Sequence, residues 1–170
     1  LRRAQTIAGI GNWELDPCSG DVWWSDQAHR VFGLAHGSRR PSYEAFLDLV
    51  HPDDRAKNSL TAILDDSLSR FQVEFRIVRP SGEMRWCYGA GIVSRDAEGK
   101  AVRMNGVTVD ITERKRAEER QVLLAREVDH RAKNTLAVVL SVLRLTRAPT
   151  TQEFITAVEG RVHALAATHN

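Results

Sequence analysis

After Asp110-Ile111-Thr112 the chain takes a helical pattern and keeps it to Arg147, where Ala148-Pro149 breaks it. At 1.5 Å per residue, some 35 helical residues run about 50 Å. That is too long for a lone helix in a small globular unit. Glu113 to Arg120 is densely charged and predicts a solvated connector. Leu136 to Leu145 is apolar nearly all round and must be buried on more than one side. Thr150-Thr151-Gln152-Glu153 has the form of a capping box opening a second helix, whose apolar stripe is Ile155, Val158, Val162 and Leu165. Two helices joined by a tight turn cannot bury that stripe alone. A second copy completes a four-helix bundle, so a homodimer is expected.

Within the long helix, Val128, Ala132, Leu136, Val139 and Leu143 share one stripe. His130 lies on roughly the opposite side, with Asn134 one turn later beside it. A core histidine would sit in the stripe; this one faces away. A neutral imidazole has a free nitrogen lone pair and is able to attack a phosphoryl group. Glu127 and Asp129 supply nearby carboxylates, and Arg131 and Lys133 supply positive charge.

Before residue 112 the pattern is different. Asn12 to Asp16 alternates as a strand, Pro17-Cys18-Ser19-Gly20-Asp21 reads as a turn, and Val22-Trp23-Trp24 resumes a strand. Helical pieces are expected over Ser25 to Phe32 and Ser42 to Val50. A third is expected to start at Pro52, with Asp53 and Asp54 complementing its dipole and Leu60, Ile63, Leu64 and Leu68 as its buried face. Phe71, Val73, Phe75 and Ile77 alternate with polar residues. A turn at Pro80 to Glu83 leads into a strand with Met84, Trp86, Tyr88 and Ala90 as its apolar positions. The last strand shifts phase between Met104 and Val107, which predicts a bulge at Gly106. Two strands, short helices and three antiparallel strands make an α+β fold, a five-stranded antiparallel sheet with helices on one face.

Two resemblances follow from these residues. That element order, with Gly11-Asn12-Trp13-Glu14, Val50-His51-Pro52-Asp53-Asp54-Arg55 and Asp110-Ile111-Thr112-Glu113-Arg114-Lys115, resembles a PAS domain. It implies that Asp110 and Thr112 anchor an output helix to the sheet. The run His130-Arg131-Ala132-Lys133-Asn134-Thr135-Leu136-Ala137, with Phe154-Ile155 and Arg161 to Ala166, resembles the dimerisation and phosphotransfer helices of sensor histidine kinases of the HWE type. It implies that His130 is autophosphorylated and that Asn134 orients a water during dephosphorylation. Many such kinases place an acid directly after the histidine as general base. Here that position is Arg131, which leaves Asp129 and Glu127 as the candidates.

The expected organisation is a PAS domain over residues 1–111, a connector over 112–121 and phosphotransfer helices over 122–170. A resemblance-implied ATP-binding domain elsewhere in the full protein would deliver phosphoryl from MgATP to His130, which passes it to an aspartate of a response regulator. The alternatives are a PAS ligand-binding and dimerisation module and a stand-alone phosphotransfer protein.

A balance of 24 basic and 22 acidic residues gives a net charge of +2, too even for a nucleic-acid binder. No apolar run approaches the roughly 20 residues that cross a bilayer, so a cytoplasmic protein without membrane insertion is expected. Leu1-Arg2-Arg3 and the stop at Asn170 inside a helical pattern suggest a piece of a longer chain. No PAS ligand is assigned. Neither Cys18, in a turn, nor Cys87, in a strand, lies in the helix motif of flavin-photoadduct domains. His29 and His51 are expected to be structural rather than haem ligands, and no metal site is expected.

Overall fold

A computed structural model describes residues 9–35, 37, 40–64 and 69–167. They form two compact units divided between Arg116 and Ala117.

In the first unit, strands β1 (Ile10–Leu15), β2 (Val22–Trp24), β3 (Arg70–Val78), β4 (Met84–Arg95) and β5 (Ala101–Asp110) form one sheet in the order β2-β1-β5-β4-β3. All neighbours run antiparallel. Helices α1 (Asp26–Phe32), α2 (Tyr43–Leu49) and the short α3 (Leu60–Leu64) come between β2 and β3. Ser25 and Ser42 cap α1 and α2, their hydroxyls accepting the Ala28 and Ala45 N–H groups at 3.2 and 3.0 Å. Gly33 ends α1 in the left-handed region, at φ 71°, which costs glycine little. Trp24, Ala28, Val31, Phe32, Leu49, Phe75, Ile77 and Cys87 form the main core between α1, α2 and the sheet. The α+β, five-stranded PAS architecture expected from the sequence is present.

The structure departs from local expectation at several points. The sheet has no bulge at Gly106, which pairs in register with Gly91 and Trp13; the irregularity lies between Ser94 and Arg95. Gly106 is small because a Cβ there would lie 2.1 Å from the Ala90 carbonyl oxygen and 2.5 Å from the Trp13 ring. On β4 the buried side is Cys87, Gly89 and Val93, while Met84 is exposed. Trp86 turns to the opposite face, where basic side chains cover its ring. Pro52 opens two short 3-10 turns (Pro52–Asp54 and Ala56–Asn58) before α3, not one helix. Pro52 opens the first turn as expected, with Asp53 and Asp54 in it; Asp54 is also buried and holds Arg76. Leu68 lies outside the described residues.

Helix α4 (Thr112–Leu145) is continuous over 34 residues, and Thr151–Ala167 forms α5. The capping box is half realised, with Thr150 Oγ1 accepting the Glu153 N–H at 3.3 Å. Arg161 of α5 donates to the buried Thr146 hydroxyl at 3.0 Å, fixing the turn between the helices. Val128, Leu136, Val138, Leu140, Leu143 and Leu145 remain exposed, as does Ile155 of α5.

Candidate functional site: an exposed histidine and a helix anchored to a sheet

His130 is exposed in the middle of α4, and Asn134 is exposed one turn on. Helical spacing alone puts them side by side. Arg131, Asn134 and Thr135 line one groove with Val162 and Leu165 of α5. The two candidate carboxylates point to cations of the same helix. Glu127 accepts from Arg131 Nε at 2.6 Å, and Asp129 from Lys133 Nζ at 2.6 Å. All four side chains are well exposed. The pairs follow from i,i+4 geometry, which favours an acid one turn before a base.

The junction at the start of α4 is densely bonded. Asp110 Oδ1 accepts the Thr112 N–H at 2.9 Å, and the Ile111 N–H donates to the Trp86 carbonyl at 2.8 Å. Thr112 Oγ1 accepts the Trp86 N–H at 2.9 Å. Thr112 is buried, and Asp110 also faces Arg85 and Arg79 at 3.4 and 3.5 Å. Asp110 and Thr112 therefore do meet, on β4. Beyond them Glu74, Trp86 and Lys115 join the same junction, and sequence reasoning did not single them out. Glu74 is one polar residue of an alternating strand, and only the strand register reveals its partner.

The sheet and helices enclose a cavity of about 80 Å³, walled by Trp13, Trp24, Phe46, Phe71 and Phe75, with Asn58 and Thr108 as polar members. Cys18 is exposed in the β1–β2 turn, and Cys87 is buried in β4 with its thiol pushed up to about 12 by desolvation. Neither lines the cavity. His29 is buried edge-on to Trp24, with Nδ1 3.0 Å from the Ser25 carbonyl. His51 caps the first 3-10 turn, its Nδ1 accepting the Asp53 N–H at 3.3 Å. Among the described residues, no group of acidic, histidine and cysteine side chains could hold a metal, and no helix is long and apolar enough to cross a membrane.

The described residues thus form a five-stranded antiparallel sheet with helices packed over it, and a helical hairpin bearing an exposed histidine. Comparison with known proteins makes this specific. Residues 21–108 match the family model of the PAS fold, and residues 127–170 match that of the HWE histidine kinase. The chain belongs to the PAS fold family and carries an HWE histidine kinase segment after it. It is 32% identical over 143 residues to the blue-light-activated histidine kinase of Brucella anthropi, covering 82% of this chain and 28% of that one. The Brucella ovis protein of the same name is 31% identical over 140 residues, with 82% and 28% covered. The chain thus spans between a quarter and a third of these relatives' length. A sensory box histidine kinase/response regulator from Burkholderia thailandensis matches the structure with TM-score 0.64 and 29% identity, over 76% of this chain and 97% of that one.

Proposed function

We propose that the chain is the sensory and phosphoacceptor portion of a two-component sensor histidine kinase, with His130 as the phosphorylated residue. The observation that carries this reading is an exposed imidazole, flanked by charged residues, inside the segment that matches the HWE histidine kinase model. In the first step an imidazole nitrogen attacks the γ-phosphorus of MgATP held by a separate ATP-binding domain. A P–N bond forms, the bond to the β,γ-bridging oxygen breaks, and ADP leaves. In the second step an aspartate carboxylate of a response regulator attacks the phosphohistidine and the imidazole leaves. Arg131, next to His130, offsets phosphoryl charge once it releases Glu127. Asn134 orients a water for dephosphorylation, a role supported by its position one helical turn from His130.

The organisation proposed is a PAS domain over residues 1–111, a connector over 112–121 and phosphotransfer helices over 122–170. The exposed apolar residues of α4 and α5 support a homodimer in which two hairpins form a four-helix bundle. A cytoplasmic location goes with ATP as phosphoryl donor and a response regulator as acceptor.

The Brucella relatives are named for blue-light activation, which raises a flavin as PAS ligand here. The residues of this chain do not fit a cysteinyl-flavin adduct. Its two cysteines stand in a surface turn and in the packed interior of β4, and neither lines the cavity. The cavity of about 80 Å³ is also small, set against ~300–1,000 Å³ for ordinary small-molecule sites.

The test is phosphoryl flow. The chain is mixed with its cognate ATP-binding domain and γ-labelled MgATP, then with the receiver domain of its response regulator. Label is expected first on the chain and then on the receiver. A chain that never takes label overturns the reading.

A further inference from the structure

The Asp110–Thr112 junction fixes where α4 leaves the sheet, but a single anchor lets a helix pivot and turn about its axis. A second anchor stands one turn further on. Lys115 Nζ lies 2.6 Å from Glu74 Oε2 and 5.2 Å from the centre of the Trp86 ring, and Arg114 reaches the other oxygen of Glu74. Glu74 of β3 and Trp86 of β4 are brought together by register. Arg76 pairs with Trp86 across the strands, and Glu74 is two residues from Arg76 on the same face. Lys115 side-chain exposure is 24%, so this cation is held closely against the ring and carboxylate.

The same ring is shared by Arg76, whose guanidinium carbon is 5.7 Å from its centre. Arg76 Nε donates to Asp54 Oδ2 at 2.9 Å, and Asn58 Nδ2 donates to the Asp54 carbonyl at 2.8 Å. Asn58 is a wall of the cavity. Contacts therefore run without a gap from the cavity wall, through Asp54 and Arg76, to the ring on which Lys115 sits.

We propose that Glu74 and Trp86 are positioning residues that hold Lys115 and so set the rotational phase of α4 as it leaves the sheet. On the proposed reading of His130, this latch is the point at which the state of the PAS domain is converted into helix phase. The carboxyl of Glu74 is held below its ordinary range by Lys115 and Arg114, so it stays ionised throughout the neutral range. The latch is electrostatic and aromatic at once, which makes it separable from the main-chain bonds of Thr112.

Amide hydrogen exchange over residues 112–118 reads the latch directly, because it reports local opening. Four chains are compared: the wild type, Glu74→Lys, Glu74→Asp and Trp86→Leu. Replacing the shared carboxylate by a cation in Glu74→Lys removes a partner of both Lys115 and Arg114 and speeds local exchange by about tenfold. Glu74→Asp keeps the negative charge and exchanges near the wild-type rate. Trp86→Leu keeps the backbone bonds of residue 86 to Ile111 and Thr112 and should speed exchange by about threefold. Phosphorylation of His130 by the cognate ATP-binding domain should change severalfold in Glu74→Lys and stay near wild type in Glu74→Asp. Unchanged exchange in Glu74→Lys, or exchange as fast in Glu74→Asp as in Glu74→Lys, overturns the latch. A wild-type chain that takes no label is a failure of the His130 reading instead, and the exchange data still judge the latch.

Discussion

Glu127 and Arg131 are joined across one turn of α4, Oε1 to Nε at 2.6 Å, with His130 immediately before Arg131 in the chain. The acid expected to orient the imidazole is thus engaged by the residue that follows it. Both side chains are more than half exposed, and exposed pairs of this spacing are worth only ~0.3–0.5 kcal/mol. Exchanging Arg131 for the imidazole therefore costs Glu127 almost nothing. The same holds for Asp129, which sits on Lys133 at 2.6 Å.

Replacing Glu127 and Asp129 together by alanine is expected to slow autophosphorylation in the full-length kinase by roughly 10²–10⁴-fold, the usual loss for a positioned acid–base group. Single-turnover kinetics with labelled ATP checks it. An unchanged rate assigns the base to the ATP-binding domain.

Asp54 governs acid stability. Its buried carboxylate accepts from Arg76 Nε at 2.9 Å and from the Arg76 backbone N–H at 2.8 Å. With Lys57 also close, these bonds hold its carboxyl well below the usual range. A depressed folded pKa gives stability that is complete above the unfolded value of about 3.9 and is lost as pH falls below it. Asp54→Asn is expected to cost ~2 kcal/mol at neutral pH, the order of a hydrogen-bonded, partly buried charge pair. Urea midpoints should show that deficit shrinking below about pH 4, where the wild type begins to lose the same contribution.

The two thiols should react very differently. Cys18 is exposed, whereas Cys87 is fully buried with its thiol pushed up to about 12. Only thiolate reacts. Native protein is therefore expected to release one equivalent of chromophore with a disulfide reagent near pH 8, and a second only in denaturant. Two fast equivalents would mean that β4 opens readily.

Element identity was plain in the sequence, because strand alternation and serine caps are local signals. The alternation of β3 also gave the core face, since Phe75 and Ile77 are buried, but β4 and Gly106 departed from expectation. On β4 the large residues Met84 and Trp86 suggested the buried side. The core instead takes Cys87 and Gly89, and the Phe75 and Val73 side chains fill the space against Gly89. Gly106 looked like a bulge when its purpose is to let the Trp13 ring lie on the sheet. At the helix, the exposed placement of His130 and Asn134 and the contact of Asp110 with Thr112 were legible from motif and spacing. The pairing of Glu127 with Arg131 follows the i,i+4 rule, but that spacing alone does not decide whether the acid meets Arg131 or the imidazole. Glu74 and Lys115 are 41 positions apart, and no local pattern joins them.

Coupling along α4 is testable through helix phase. One residue inserted near Glu118 turns everything downstream by about 100°, while seven nearly restore the phase. The two insertions are expected to give sharply different autophosphorylation rates and regulation, with the seven-residue form close to wild type. Equal rates in the two would make the segment a tether.

Phosphate is expected to reside on His130. The most direct measurement is peptide mapping of the phosphorylated chain by mass spectrometry, with His130→Ala and His163→Ala compared in parallel. The expected result is an acid-labile, base-stable phosphate on the peptide containing His130, absent in His130→Ala and undiminished in His163→Ala. Wild-type labelling of the His130→Ala chain, or phosphate mapped to another residue, would contradict the account.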